Sequence, residues 1–151
     1  MYVFYRNSLL ELKRLYPVLL HHYALMPNHV HLLMTPMGEG LSEFMKILQN
    51  RFAKRFCSLY AFRGHVWQGR FKQRHIKSDA DLFACGNYIE MNPVRAGLCL
   101  SPDIWSYSSY RYYAFGDHDP LVDDDPFYAM MGRNLAERQR AYCELVDKTR
   151  A

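Results

Sequence analysis

The sequence lacks several features that would place it in common protein classes. None of its apolar runs approaches the roughly 18 residues that a membrane-spanning helix needs. The N-terminus lacks the basic, apolar and small-residue zones of a signal peptide, so we expect a cytoplasmic, nucleoid-associated protein without membrane contact. The four cysteines form no C-x-x-C pair and predict neither a disulfide framework nor a zinc knuckle. A chain of 151 residues without repeats, 50% hydrophobic and 23% charged, fits one globular domain.

Acidic residues are absent from segment 46–77, although it carries nine Lys and Arg residues. Aromatic residues are interleaved with these cations. A one-sign, aromatic-rich segment indicates a surface for a polyanion, and the alternative is an ordinary solvated face. Trp67 could stack on a base or be a core indole. The expected DNA-binding residues are Lys46, Arg51, Lys54, Arg55, Trp67, Arg70, Lys72 and Arg74.

Two histidines stand in an otherwise apolar run just after a Pro-Asn turn. If this run is a strand, His29 and His31 project from one face, roughly 6–7 Å apart along the strand. Two neutral imidazoles so placed can share one divalent cation. The alternative is that both are ordinary hydrogen-bonded histidines.

Periodicity and turn residues predict an α+β fold, with an antiparallel sheet covered by helices. Helices and strands mix without strict βαβ alternation. The predicted helices cover 7–16, 41–62 ended by Gly64, 79–91 begun by Ser78 and stopped by Pro93, and 134–150. The predicted strands cover 18–25 and 29–35, and 70–77 is expected to be extended.

In the helix predicted over 79–91, Tyr88 and Asn92 lie four residues apart and share one face. A phenol, with an ordinary pKa of about 10, is a poor nucleophile unless a cation or a polarised electrophile is near. By spacing alone Tyr88 is more often a core residue, and Asn92 is a common residue at a helix end.

Four motifs together carry a resemblance to a known family: LMPNHVHLLMTP, VWQGRFKQR, YIEMNPVRAGL and WSYSSYR. Over about residues 18–140 the chain resembles the REP-associated tyrosine transposases, relatives of the single-tyrosine transposases in the HUH endonuclease superfamily. The resemblance implies a ferredoxin-like sheet whose central strand carries the metal ligands His29 and His31. It makes Tyr88 the nucleophile and Asn92 a third, amide-bearing ligand of Mg²⁺ or Mn²⁺.

By this resemblance the protein cuts and joins single-stranded or hairpin DNA through a 5′-phosphotyrosine. We expect a catalytic domain over 1–126 and a helical extension over 127–151 packed on it. Family members usually have a strand before the first helix, of which only a stub at 2–5 is expected here, and a homodimer could compensate for it. The alternatives are a catalytically decayed DNA-binding protein and a zinc hydrolase, which usually recruits a nearby third His or acid.

Overall fold

The computed structural model describes the backbone of residues 1–150 and the side chains of residues 1–148. Contacts group the chain into two compact units, the first made of Met1–Leu19 and Pro36–His75, the second of Leu20–Thr35 and the residues from Ile76 onward. In this part of the chain no helix is both long and apolar enough to cross a membrane. The elements are α1 (Tyr2–Leu15), β1 (Val18–Leu25), β2 (Val30–Pro36), α2 (Leu41–Tyr60), α3 (Asp79–Arg95), a 3₁₀ turn (Pro102–Ile104), α4 (Tyr110–Phe115), α5 (Pro126–Met130) and α6 (Leu135–Arg150).

The predicted α+β class is confirmed, with an antiparallel hairpin of β1 and β2 as the sheet of the described residues. A hydrogen bond of 2.9 Å from Met26 N to His29 O closes the turn. The expected strand stub at 2–5 is wrong, because these residues begin α1. Tyr5, Leu9 and Leu12 are buried at helical spacing on one face, and this continuous face favours the helix over an isolated strand.

The second edge of β1 is occupied within the same chain. Ala24 forms an antiparallel bridge with Ser108, and Leu25 N donates to Tyr107 O at 2.9 Å. Further along, Asp123 N donates to Leu20 O at 2.8 Å. Since these peptide groups are satisfied, a bare sheet edge no longer argues for a homodimer, which stays a prediction.

In the first unit, α1 and α2 pack through buried aliphatic and aromatic side chains. The Tyr5 and Phe52 rings meet edge to face at 5.6 Å. The end of α2 corrects the sequence prediction of a helix to residue 62 terminated by Gly64, because the helix ends at Tyr60 and Ala61 is its cap. Ala61 adopts a left-handed conformation (φ 49°), and Phe62 N donates to Cys57 O at 3.1 Å, which closes the last turn earlier. Residues 71–77 have no regular secondary structure.

In the second unit, an aromatic core joins α3 to the C-terminal helices. Phe83 and Met91 of α3 share this core with Tyr113 of α4, Tyr128 of α5 and Tyr142 of α6. The buried phenols are hydrogen-bonded, as in the 2.8 Å bond from the Tyr128 hydroxyl to Tyr113 O. The C-terminal helices therefore help to hold α3 in place, and the domain boundary at 126 stays a prediction.

Candidate active site

The paired histidines face each other at the start of β2. His29 and His31 bring their Nε2 atoms to 3.1 Å, and their ring planes are nearly perpendicular. The side-chain oxygen of Asn28 lies 2.6 Å from His29 Nδ1. Because that oxygen can only accept, Nδ1 carries the hydrogen in the neutral ring and Nε2 keeps its lone pair. Asn28 therefore favours the tautomer that binds a metal through Nε2.

This pair fits a divalent cation. Two bonds of about 2.1 Å at a right angle span about 3.0 Å, which is close to the observed separation of the two Nε2 atoms. Burial lowers the pKa of His31, and the neighbouring His29 lowers it further. The neutral, metal-binding form of His31 is therefore favoured. The described residues contain no cluster of three or more His, Cys, Asp or Glu side chains suited to a metal.

The tyrosine helix packs on the face of β2 that carries the histidines. Leu33 shares the face of His31 because side chains alternate along a strand, and it packs with Ile89 of α3. This contact brings the Tyr88 ring to 6.5 Å from the His31 ring, centroid to centroid. Tyr88 remains 51% exposed, so its hydroxyl can be reached by a large substrate. The structure thus brings Tyr88 close to the histidine pair, as the resemblance implies for a nucleophile and metal ligands of one site, and their chemical roles stay predictions.

Asn92 lies one turn after Tyr88 on α3. Its amide nitrogen donates to Tyr88 O at 2.8 Å and reaches Ile89 O at 3.4 Å. This arrangement uses the donor of the side chain and leaves its oxygen, the atom that binds hard cations, available.

The same contacts explain why Pro93 does not stop α3, as the sequence prediction had it. Pro93 has no N–H for Ile89 O, and the Asn92 amide approaches that carbonyl instead. The helix therefore continues to Arg95 with Pro93 inside it. At the other end the predicted cap is confirmed, because Asp81 N donates to the Ser78 hydroxyl at 3.1 Å.

A buried polar cluster that the sequence reasoning missed ties α3 to β1. His22 lies between two carboxylates, with Nδ1 2.8 Å from Glu90 and Nε2 3.0 Å from Asp125. Glu90 also accepts from the hydroxyls of Ser109 and Tyr142. Burial alone would lower the pKa of His22, but the charge of Glu90 and the hydrogen bonds to both carboxylates outweigh it and raise the pKa to about 9. The cluster is therefore held together by an imidazolium at neutral pH.

Close approach of α3 to β1 requires a glycine. A Cβ added at Gly86 would lie 2.4 Å from Cδ2 of the His22 ring, well inside van der Waals contact. Glu90 follows Gly86 by one helical turn on the same face. Gly86 and Glu90 together set the position of the helix that carries Tyr88.

Arg95, which the sequence reasoning also missed, lies beside the nucleophile candidate. Its guanidinium carbon is 4.6 Å from the centroid of the Tyr88 ring. Seven residues separate the two, which places them on one face of a helix two turns apart. Because Pro93 was expected to end the helix, the sequence did not predict that Arg95 shares a helix face with Tyr88.

The predicted DNA-binding residues all belong to the first unit. Lys54, Arg55, Arg70, Lys72 and Arg74 are exposed. Two other cations have acidic partners from outside the one-sign segment, because Lys46 pairs with Glu43 at 3.2 Å and Arg51 with Glu11 at 2.9 Å.

Trp67 is only partly available to a base. Its ring lies 5.3 Å from that of Phe52, and its indole N–H donates to Gln49 O at 2.9 Å. The DNA contacts of this and the other first-unit residues stay predictions.

An antiparallel hairpin with two facing imidazoles, packed under a helix-borne tyrosine, defines a candidate site for tyrosine-based chemistry on a phosphate. The family model described as "Transposase IS200 like" matches residues 2–92. The match covers more than half of the chain, and the chain belongs to this family of transposases.

Two known proteins extend the comparison. The "REP-associated tyrosine transposase" of Escherichia coli (strain K12) is 26% identical over 110 residues, which are 73% of this chain and 65% of that protein. The chain thus spans just under two thirds of this relative's length. The solved "Structure of the REP associates tyrosine transposase bound to a REP hairpin" matches with a TM-score of 0.63 at 21% identity, over 81% of this chain and 73% of that chain. The fold and the resemblance read from the four motifs are confirmed.

Proposed function

We propose that this protein is a metal-dependent endonuclease and strand transferase for single-stranded DNA at REP-like hairpins. The observation that carries the proposal is the arrangement of His29, His31 and Tyr88 within one chain, with the His31 and Tyr88 rings 6.5 Å apart. The choice of DNA is supported by the relatives, one of which is described as REP-associated and the other as bound to a REP hairpin. We also propose that the protein works at the nucleoid, since its proposed substrate is DNA.

His29 and His31, with the side-chain oxygen of Asn92, would hold Mg²⁺ or Mn²⁺. When bound, the cation polarises the scissile phosphate and stabilises the charge that develops on it. The proposal is supported by the packing of α3, the helix of Asn92, on the face of β2 that carries His31. Asn28 contributes the orientation of the His29 ring.

In the proposed reaction, the hydroxyl oxygen of Tyr88 attacks the phosphorus and releases its proton to solvent. A bond forms between this oxygen and phosphorus, and the bond from phosphorus to the 3′ oxygen breaks. The 3′ oxygen takes up a proton and leaves as a free hydroxyl, while the 5′ phosphate stays on Tyr88. Because the number of phosphoester bonds is unchanged, a second 3′-hydroxyl can reverse the step and join two strands without ATP.

The exposed cations of the first unit would bind the DNA backbone. Lys54, Arg55, Arg70, Lys72 and Arg74 have exposed side chains, and nearby aromatic rings would add stacking. This surface alone also suits a DNA-binding protein without catalysis, and the two functions differ in whether Tyr88 becomes linked to DNA.

Covalent capture of DNA tests the proposal. The substrate is a labelled hairpin with single-stranded flanks, incubated with Mn²⁺ and then run on a denaturing gel. We expect an adduct with the wild-type protein and none with Tyr88→Phe, which lacks only the attacking oxygen. Tyr60→Phe is the matched control, because Tyr60 has similar exposure (58%) and lies in the first unit. DNA binding without adduct by the wild-type protein would leave only the non-catalytic function.

A further inference from the structure

Arg95 differs from other arginines of the second unit in what its guanidinium contacts. Arg111 pairs with Asp117 at 2.7 Å, and Arg133 pairs with Glu137 at 3.4 Å. Arg95 has no carboxylate partner among the side chains of residues 1–148, and its described contact is the ring of Tyr88 at 4.6 Å. Its positive charge is therefore held beside the candidate nucleophile without being neutralised by the protein.

This guanidinium also borders an open cleft. Tyr88 and Arg95 line an open cleft of about 350 Å³ at the surface of the second unit. Both side chains are exposed, so DNA can approach them together. The remaining lining residues are Phe83, Ala84, Asn87 and Leu145.

We propose that Arg95 is a further catalytic residue, which binds the phosphate that Tyr88 attacks. The inference rests on the proposed function. A guanidinium can bind two phosphate oxygens with two N–H donors. The Arg95 guanidinium lies over the Tyr88 ring and on the same face of α3, so it is near the attacking hydroxyl. Negative charge on the phosphoryl oxygens reorganises as the new bond forms, and a fixed cation stabilises it more than it stabilises the bound substrate.

The competing explanation is structural. Arg95 is the basic residue in the last turn of α3, where a cation complements the partial negative charge of the helix end. Its stem could also cover the Tyr88 ring. Either role would change the stability of the protein without a selective effect on the chemical step.

Single-turnover kinetics separate these roles. Adduct formation is measured with the full-length protein and the hairpin substrate in Mn²⁺, at DNA concentrations that saturate binding, and the affinity is measured separately. We expect Arg95→Gln to reduce the saturated rate about 100-fold, as loss of one donor to a developing oxyanion does, with a much smaller change in affinity. Arg95→Lys keeps the charge and should recover part of the rate.

Arg111→Gln is the matched control, because Arg111 also lies over an aromatic ring, Phe115, at 5.5 Å. We expect it to leave the saturated rate unchanged, and thermal melts identify any variant that fails to fold. An Arg95→Gln rate within about threefold of the wild type, or a loss that saturating DNA removes, would overturn the catalytic role of Arg95 alone. Absence of any adduct with the wild-type protein would overturn the proposed function and this inference with it.

Discussion

Alkaline pH should weaken the fold through His22. The pKa of this imidazole is raised to about 9 because Glu90 and Asp125 outweigh its burial. A group with a raised folded-state pKa stabilises the protein fully below its unfolded value, near 6.5, and loses that contribution as the pH passes the folded value. Stability should therefore fall between about pH 6.5 and about pH 9.

The size of this effect follows from the shift. A difference of about 2.5 pKa units corresponds to about 3 kcal/mol of free energy of unfolding, at about 1.36 kcal/mol per unit. This is a large fraction of the stability that is usual for a domain, which is roughly 5–15 kcal/mol. Since His22 joins β1 to the helix of Tyr88, its deprotonation should also loosen the candidate site.

Urea unfolding at closely spaced pH values from 6 to 9.5 measures the effect. We expect the wild-type free energy of unfolding to decline across this range, and His22→Gln to be less stable at pH 7 with a shallower decline. His118→Gln, which changes an exposed histidine of the same unit, should retain the wild-type slope. A flat or rising wild-type profile, or an equal slope in the His22 variant, would refute the argument that the cluster holds an imidazolium.

Four further predictions concern the tyrosine helix, the metal pair, the basic surface and assembly. Gly86→Ala should destabilise the protein by about 1–3 kcal/mol, measured by denaturant unfolding, because the new methyl group overlaps a buried ring. His31→Ala should remove metal-stimulated cleavage and keep DNA affinity, as a gel and a binding titration will show. Replacing Lys72 and Arg74 by Ala should make the plot of log affinity against log salt shallower by about 1.4 if both contact phosphates, and an unchanged slope would assign them to a solvated face. The occupied edge of β1 should not form a dimer interface. If light scattering detects a dimer, its subunits must therefore meet through another surface.

The pairing of the two histidines was predictable from side-chain alternation along a strand, and the part of Tyr88 in the same site was predictable from the family motifs. Alternation along a strand puts His29 and His31 on one face, and the family resemblance identified Tyr88. The helix over 2–15 was missed at its start because four residues rich in Tyr, Val and Phe have high strand propensity. Packing of Tyr5, Leu9 and Leu12 overrides that propensity.

The supporting residues could not be predicted from local patterns. The partners of His22 lie 68 and 103 residues away, so that only the folded chain brings them together. Arg95 was within reach of spacing arguments, since it follows Tyr88 by two turns. It was lost because proline normally ends a helix, whereas here the Asn92 amide approaches the carbonyl that Pro93 leaves without a donor.

The point at which DNA becomes attached can be read by tandem mass spectrometry of the protein–DNA adduct after nuclease and protease digestion. If the Tyr88 hydroxyl is the nucleophile, the peptide containing residue 88 will carry the residual nucleotide, joined to Tyr88 through its 5′ phosphate. The released strand will end in a free 3′-hydroxyl that a polymerase can extend. Attachment at any other residue, linkage through a 3′ phosphate, or hairpin cleavage without any adduct would contradict the proposed chemistry.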